Sequence, residues 1–134
     1  MSRLSLIEGI GEAYEVKLDS SGVKSIESLL EVCATKKGRS QLSEKSGISE
    51  KLILKWANHA DLMRIEGIGG EYAELLEASG VDTVPELSIR NAENLYMKII
   101  EVNDKINLVR KVPSEAQVID WIRQAKGLPR KLNY

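Results

Sequence analysis

The chain has 134 residues, a net charge of −1 and 43% apolar residues, which fits one compact domain or two small repeats and excludes a disordered chain. Its single cysteine, Cys33, rules out an internal disulfide, and no apolar run approaches the roughly 20 residues of a membrane span. Because no signal-peptide pattern opens the sequence, we expect a cytoplasmic protein. Leu, Ile, Glu, Lys and Ala dominate, which favours helices.

An internal repeat organises the chain. Shifting residues 7–30 by 58 places them on 65–88, and eleven of these 24 positions are identical. Further along, a Ser-Glu pair, a Trp and an Ala recur at a shift of 65, so the second copy contains about seven more residues. We therefore predict an all-α fold of two pseudo-symmetric repeats, 1–60 and 61–134, packed around one core as one compact unit.

Each copy begins with a short apolar turn that leads into a glycine hairpin. Leu4 starts the first, and glycines that tolerate positive φ close it tightly. A helix is predicted over residues 12–21, and Gly22 ends it. The hairpin residues are Gly9, Ile10 and Gly11 in the first copy and Gly67, Ile68 and Gly69 in the second.

The rest of the first copy is predicted to form three more helices. Ser25 is the N-cap of the next one, in which Cys33 lies on the buried stripe as a small core residue. Residues 36–39 form a basic turn, and a short helix over 40–45 follows. A longer helix over 50–60 places its tryptophan in the core.

The second copy differs in its middle. Thr83 is expected to begin a capping box, and Asn91 to cap a helix that Asn103 brings to an end. Pro113–Ser114 open the last long helix, and residues 128–134 follow as a tail.

Two polar residues lie where the copies meet. Asp61 is expected to cap the first helix of the second copy. His59, the only histidine, has no Cys or His partner at metal-ligand spacing and is expected at the surface or at a helix cap. No metal or cofactor site is predicted.

Two segments are similar to the helix-hairpin-helix pattern: Leu4-x-x-Ile7-Glu8-Gly9-Ile10-Gly11 and Leu62-x-x-Ile65-Glu66-Gly67-Ile68-Gly69. The second copy has the small residue of that pattern, Ala73, four residues after its last hairpin glycine, whereas the first has Glu15. The whole chain further resembles an uncharacterised bacterial family of tandem helix-hairpin-helix proteins. That resemblance implies an architecture and no mechanism.

In helix-hairpin-helix proteins, the hairpin amides and the second helix N-terminus hold a DNA phosphate without reading sequence, sometimes with a monovalent cation. The resemblance implies this role for both hairpins. Neither loop has a Lys or Arg, and a carboxylate about 4 Å from a phosphate costs roughly 1 kcal/mol in water and about 4 near a protein surface. The surrounding carboxylates are those of Glu8, Glu12, Glu15, Glu66, Glu71 and Glu74. We therefore interpret the hairpins as primarily structural.

Charge alternates along the repeat. Residues 1–35 and 65–97 are acidic overall, whereas 36–64 and 98–134 are basic. The basic halves could contact nucleic-acid phosphates, or the two halves of each copy could pair within the fold or between subunits. The candidate nucleic-acid-binding residues are Lys36, Lys37, Arg39, Lys51, Lys55, Arg110, Lys111, Arg130 and Lys131.

A helix-turn-helix spacing occurs in the first basic half. The outer face of its second helix would carry Glu50 and Leu54, which are poorly suited to reading base edges. We interpret the segment as a helical hairpin used for packing. The matching positions are Leu42, Gly47, Ile48, Ser49, Ile53 and Trp56.

No residue pattern indicates an enzyme. The sequence has no phosphate-binding loop, no isolated carboxylate pair and no Lys–Asp arrangement of the kind used by helix-hairpin-helix glycosylases, so no catalytic residue is predicted. The leading hypothesis is a protein-interaction or adaptor role, with self-association through complementary acidic and basic faces. The alternative is sequence-independent DNA or RNA binding through the hairpins and basic halves. No membrane or small-molecule partner is predicted.

Overall fold

The structure is a computed structural model that describes residues 2–134. This part of the chain contains eight α-helices and no strand, which confirms the all-α prediction. One turn of 3-10 helix, Leu4–Leu6, precedes them. The helices are α1 (Glu12–Ser20), α2 (Ile26–Val32), α3 (Lys36–Ser46), α4 (Glu50–Leu62), α5 (Gly70–Ala78), α6 (Val84–Ser88), α7 (Ala92–Ile106) and α8 (Glu115–Lys126). None of those described is long and apolar enough to cross a membrane.

The chain divides into two compact units. Unit 1 runs to Asp61 and also includes Lys131–Tyr134, whereas unit 2 is Leu62–Arg130. The division falls one residue from the predicted one, but the last four residues lie in unit 1 and not with the second copy. The pseudo-symmetric arrangement around one shared core stays a prediction.

In unit 1, α1 packs against the 3-10 turn and against α3, and α2 also packs against α3. Large apolar side chains fill its interior, which provides the main stabilisation of so small a unit. The fully buried ones are Leu4, Ile7, Leu18, Leu29, Ile53 and Trp56.

Local capping sets the helix starts in unit 1. Ser25 and Ser28 form a capping box at α2, and the Thr35 hydroxyl accepts the Gly38 N–H at α3. Helix α3 therefore begins at Lys36, and the predicted basic turn is wrong: these residues are the first helical turn. A Cβ at Gly38 would lie 2.0 Å from the Val32 carbonyl oxygen, so only glycine permits this close approach to α2.

Helix α4 extends through both polar residues near the division. Asp61 is buried inside the helix and does not cap a new one, so that prediction is wrong. His59 is also fully buried, so the expected surface position is wrong. The Asp61 error arises because α4 continues to Leu62 instead of ending near Ala60.

The final segment, Lys131–Tyr134, is held by unit 1 and is not a loose tail. The Asn133 N–H donates to the Ala34 carbonyl at 2.8 Å, and the Tyr134 hydroxyl donates to Asn58 Oδ1 at 2.6 Å. Leu132 is only 2% exposed. A terminal segment stays ordered when such contacts hold it.

In unit 2, α8 packs against α6 and α7, and α7 packs against α5. Their buried faces form one hydrophobic cluster. Its largest members are Leu62, Ile65, Ile68, Leu75, Leu76, Leu87, Leu95, Ile99, Trp121 and Ile122.

Two of the three predicted caps in unit 2 are present as side-chain hydrogen bonds. Asn91 caps α7, and Ser114 caps α8. The Thr83 side chain makes no capping bond, so the predicted capping box is wrong; the Glu86 carboxylate instead accepts the Asp82 N–H at 3.1 Å.

Candidate nucleic-acid interface

The first glycine hairpin is a tight turn that buries its central side chain. Gly9 has φ +94°, and the Ile10 N–H donates to the Ile7 carbonyl at 3.2 Å. The Ile10 side chain is buried between exposed Gly9 and Gly11. The turn therefore presents backbone to solvent on one side and fills the core on the other.

The second hairpin has the same local geometry. Gly67 has φ +100°, and the Ile68 N–H donates to the Ile65 carbonyl, again at 3.2 Å. Ile68 is buried, whereas Gly67 and Gly69 are exposed.

A tryptophan packs against each hairpin. A Cβ placed on Gly9 would lie 3.4 Å from Trp56 Nε1, and one on Gly67 would lie 3.0 Å from Trp121 Nε1. Each indole also contacts the tyrosine of the following helix, which fixes that helix beside the turn. The ring pairs are Tyr14–Trp56, with centroids 5.0 Å apart, and Tyr72–Trp121, with centroids 5.4 Å apart.

A side-chain clamp further holds the second hairpin. The Gln124 amide accepts the Glu66 N–H at 2.9 Å and donates to the Glu66 carbonyl at 3.1 Å. Asp120 accepts hydrogen bonds from Gln124 and Arg123, and those bonds, that from Arg123 above all, hold the pKa of its carboxyl below the ordinary value. The Gln124 side chain therefore holds the backbone of this turn at Glu66.

The helices after the two hairpins have no side-chain cap. Gly11 precedes α1 and Gly69 precedes α5, and neither residue offers a side-chain acceptor to the first helical amides. The first N–H groups of a helix have no intrahelical partner, and the helix dipole favours an anion there. By contrast, Ser25, Thr35, Asn91 and Ser114 cap α2, α3, α7 and α8.

A loop of unit 2 lies beside the uncapped start of α5. The Tyr72 hydroxyl donates to the Lys111 carbonyl at 2.9 Å, which joins α5 to this loop. An open groove of about 830 Å³ runs between them. Its lining residues are Glu71, Tyr72, Asn103, Asp104, Asn107, Leu108, Val109, Arg110, Lys111 and Val112.

Asn103 fixes this loop from within. Its Nδ2 donates to the Val109 carbonyl, and its Oδ1 accepts the Val109 N–H, both at 3.0 Å. The prediction that Asn103 ends a helix is wrong, because its side chain is buried and satisfied by Val109 while α7 continues to Ile106. Asn107, with φ +51°, ends the helix instead.

Arg110 and Lys111 therefore lie next to the second hairpin on a loop that Asn103 and Tyr72 hold by hydrogen bonds. Both are exposed, and neither side chain forms an ion pair with any residue from 2 to 134. A pocket of about 330 Å³ at the hairpin shares Glu71 and Tyr72 with the groove. Its full lining is Gly67, Gly69, Gly70, Glu71 and Tyr72.

The acidic side chains at the hairpins remain in solvent. Glu12 and Glu71, in the first turns of α1 and α5, are exposed, and Glu15 is partly buried. Because these carboxylates lie at the surface, they can turn away from a bound anion.

The other basic candidates are distributed over both units. Lys55 of unit 1 is partly buried, and Arg130 of unit 2 is exposed. The exposed basic candidates of unit 1 are Lys36, Lys37, Lys51 and Lys131.

Arg39 is not at the surface, which corrects the expectation that it contributes to a basic face. Its side chain is 5% exposed, and Nη1 donates to the carbonyls of Cys33 at 2.9 Å and Asn133 at 3.0 Å. The guanidinium carbon also lies 5.6 Å from the centre of the Tyr134 ring, a cation–π distance.

The helix-turn-helix spacing corresponds to α3, a left-handed turn at Gly47 and α4. Every residue of α4 from Trp56 to Leu62 is buried, so this half of the helix presents no surface to a DNA groove. This burial agrees with the packing interpretation.

Among residues 2–134, no group of three His, Cys, Asp or Glu side chains is placed to hold a metal ion. Comparison with curated proteins and with solved structures gave no match. The family model described as domain of unknown function DUF4332 matches residues 8–128. Because that match spans most of the sequence, the chain belongs to the DUF4332 family.

Proposed function

We propose that the chain is a non-enzymatic tandem helix-hairpin-helix module, and that its second hairpin binds backbone phosphates of a nucleic acid. The observation that carries the proposal is the position of Arg110 and Lys111. They line the groove beside the uncapped start of α5, where the hairpin loop itself has no basic residue.

The groups around the start of α5 are suited to binding a phosphate. The first amides of α5 offer N–H donors at the positive end of the helix dipole. A cation at a given distance from a phosphate attracts it as strongly as a carboxylate at the same distance repels it, so Arg110 and Lys111 can offset Glu71 and Glu66. Backbone amides and the flexible side chains of Arg110 and Lys111 are expected to contact phosphates and not base edges. Binding is therefore expected to be independent of the nucleotide sequence.

The two hairpins are unequal under this proposal. The additional residues of the second copy include the loop that carries Arg110 and Lys111. The corresponding segment of unit 1, residues 47–49 between α3 and α4, is only three residues long and has no equivalent loop. We therefore assign the principal phosphate contacts to unit 2.

Fluorescence anisotropy with labelled single-stranded and duplex DNA over a salt series tests the proposal. The site variant is Arg110→Gln with Lys111→Gln, and the control with equal charge loss is Lys98→Gln with Lys126→Gln. The slope of log K against log salt should fall by about 1.4 to 1.8 in the site variant, corresponding to two lost phosphate contacts, and change much less in the control. Absence of binding at 50 mM salt, or equal losses in the two variants, would refute the assignment.

A second candidate function is protein interaction, including self-association. Large apolar side chains are exposed on unit 2, with Ile89 at 80% and Met97 at 61%. Methionine is enriched at protein interfaces relative to the rest of the protein surface. Sedimentation velocity at low and high salt tests this candidate, since a monomer under all conditions would eliminate self-association.

A further inference from the structure

Unit 1 holds the segment Lys131–Tyr134 in the way that a binding groove holds a peptide. The main chain of Asn133 is bound at both ends, since its N–H donates to Ala34 and its carbonyl accepts from Arg39. Leu132 is buried as an apolar anchor, and the Tyr134 hydroxyl donates to Asn58. Main-chain hydrogen bonds combined with a buried side chain are the usual elements of extended-peptide recognition.

The same segment covers a cation. The Asn133 carbonyl lies 3.0 Å from Arg39 Nη1, and the Tyr134 ring lies over the guanidinium. A guanidinium donates readily to phosphate and carboxylate, and here a neutral carbonyl takes that place. Lys36 lies three residues before Arg39 on α3, so the two side chains are neighbours on one helix face, and Lys36 and Lys37 are exposed.

We propose that Lys131–Tyr134, hereafter the clasp, is an autoinhibitory contact. When the clasp is closed, the Arg39 guanidinium donates to the Asn133 carbonyl and is covered by the Tyr134 ring. When the clasp opens, Arg39 joins Lys36 and Lys37 in a second site for the phosphates of a nucleic-acid backbone, on unit 1. This site shares its ligand class with the proposed function but none of its residues.

The clasp is suited to reversible opening. It has four residues, of which Lys131, Asn133 and Tyr134 are exposed and only Leu132 is buried. Segments with few buried apolar contacts open locally at a small fraction of the global free energy of unfolding. Opening removes the Asn133 carbonyl and the Tyr134 ring from Arg39 and leaves its hydrogen bond to the Cys33 carbonyl. Helix α3 is not disturbed, because Thr35 caps it independently.

The test uses the full chain with Arg110→Gln and Lys111→Gln present throughout, so that unit 2 does not contribute its own contacts. In this background, an open variant carries Leu132→Ala, Asn133→Pro and Tyr134→Ala, which remove the anchor, the N–H donor and the aromatic ring without changing net charge. A control carries Ile89→Ala and Met97→Ala, two exposed apolar residues. Labelled oligo(dT) is the probe over a salt series, and thermal melting shows that each variant folds.

The open variant should bind oligo(dT) several-fold more tightly than its background, with a salt slope steeper by about 0.7, corresponding to one further phosphate contact. Adding Arg39→Gln to the open variant should abolish the gain. An unchanged affinity in the open variant, or a gain that survives Arg39→Gln, overturns the proposal. If the open variant fails to fold, Tyr134→Ala alone uncovers the guanidinium face, and absence of any gain there is equally decisive. The test stays valid even if the second hairpin does not bind phosphate, because Arg110 and Lys111 are absent from both the open variant and its background.

Discussion

The indole of Trp121 packs tightly against the backbone at Gly67. A Cβ at this position would lie 3.0 Å from Nε1, and the backbone has φ +100°, which L residues rarely adopt. Gly67→Ala should lower the free energy of unfolding by about 1–2 kcal/mol from the backbone conformation alone, and further through the indole contact. Urea unfolding measures the loss.

Gly69→Ala is the matched control for that substitution. Gly69 has φ −96°, and nothing lies within 4 Å of a Cβ there, so the change in stability should be small. If Gly67→Ala costs no more than Gly69→Ala, the indole does not constrain the turn.

Asn103→Ala should loosen the basic loop of unit 2. The substitution leaves both the N–H and the carbonyl of Val109 without their partner, and each unsatisfied buried group costs about 1–3 kcal/mol. Hydrogen exchange at the Val109 amide should accelerate, and DNA affinity should fall even though no charge is lost. Asn94→Ala, at an exposed position on the same helix, is the control; an equal effect there would contradict the role of Asn103 in holding the loop.

Cys33 should make stability fall at alkaline pH. Burial raises the pKa of its thiol from 9.0 to about 12, opposed in part by Arg39. Above pH 9 the unfolded chain loses this proton while the folded chain keeps it. The contribution is therefore complete below pH 9 and is lost between pH 9 and 12, at up to about 1.4 kcal/mol per pH unit. Measured by urea unfolding, the stability advantage over Cys33→Ala should shrink across that range, and a constant difference would contradict the assignment.

Tyr134→Phe should weaken the clasp without removing it. The variant loses the hydroxyl bond to Asn58 but keeps the ring over Arg39, so the expected loss is about 0.5–1.5 kcal/mol. Exchange of the Asn133 amide should accelerate, whereas that of the buried Ile99 amide in unit 2 should not. Equal acceleration at both amides would indicate global destabilisation in place of local opening.

Features governed by neighbouring residues could be predicted from sequence. The caps at Ser25, Asn91 and Ser114 depend on a side chain reaching an amide three residues away. The left-handed glycines after α1 and α5, Gly22 and Gly80, depend on the absence of a Cβ. The all-α class followed from these signals together with the apolar spacing.

The errors concern residues whose partners are distant in sequence or lie outside the local pattern. Asparagine is typical of helix ends, which predicts that Asn103 terminates the helix. Its side chain instead forms two buried hydrogen bonds with the Val109 backbone, and the helix continues. Arg39 lies in a basic stretch of the sequence, which predicts a surface position. Its guanidinium instead donates a hydrogen bond to the Asn133 carbonyl, 94 residues away. Likewise, only the folded chain brings the Lys111 carbonyl to Tyr72. The apolar spacing of a single sequence does not indicate contacts between residues this far apart.

The placement of Lys131–Tyr134 in unit 1 also affects how the chain matures. A ribosome makes these residues only after the whole of unit 2, and domains generally fold in the order of synthesis. Until residues 131–134 are made, unit 1 therefore lacks the Asn133 carbonyl beside Arg39 and the buried Leu132 side chain. Closing a contact over such a sequence separation is slow compared with forming local helices. The contacts that complete unit 1 therefore form only after unit 2 has been synthesised.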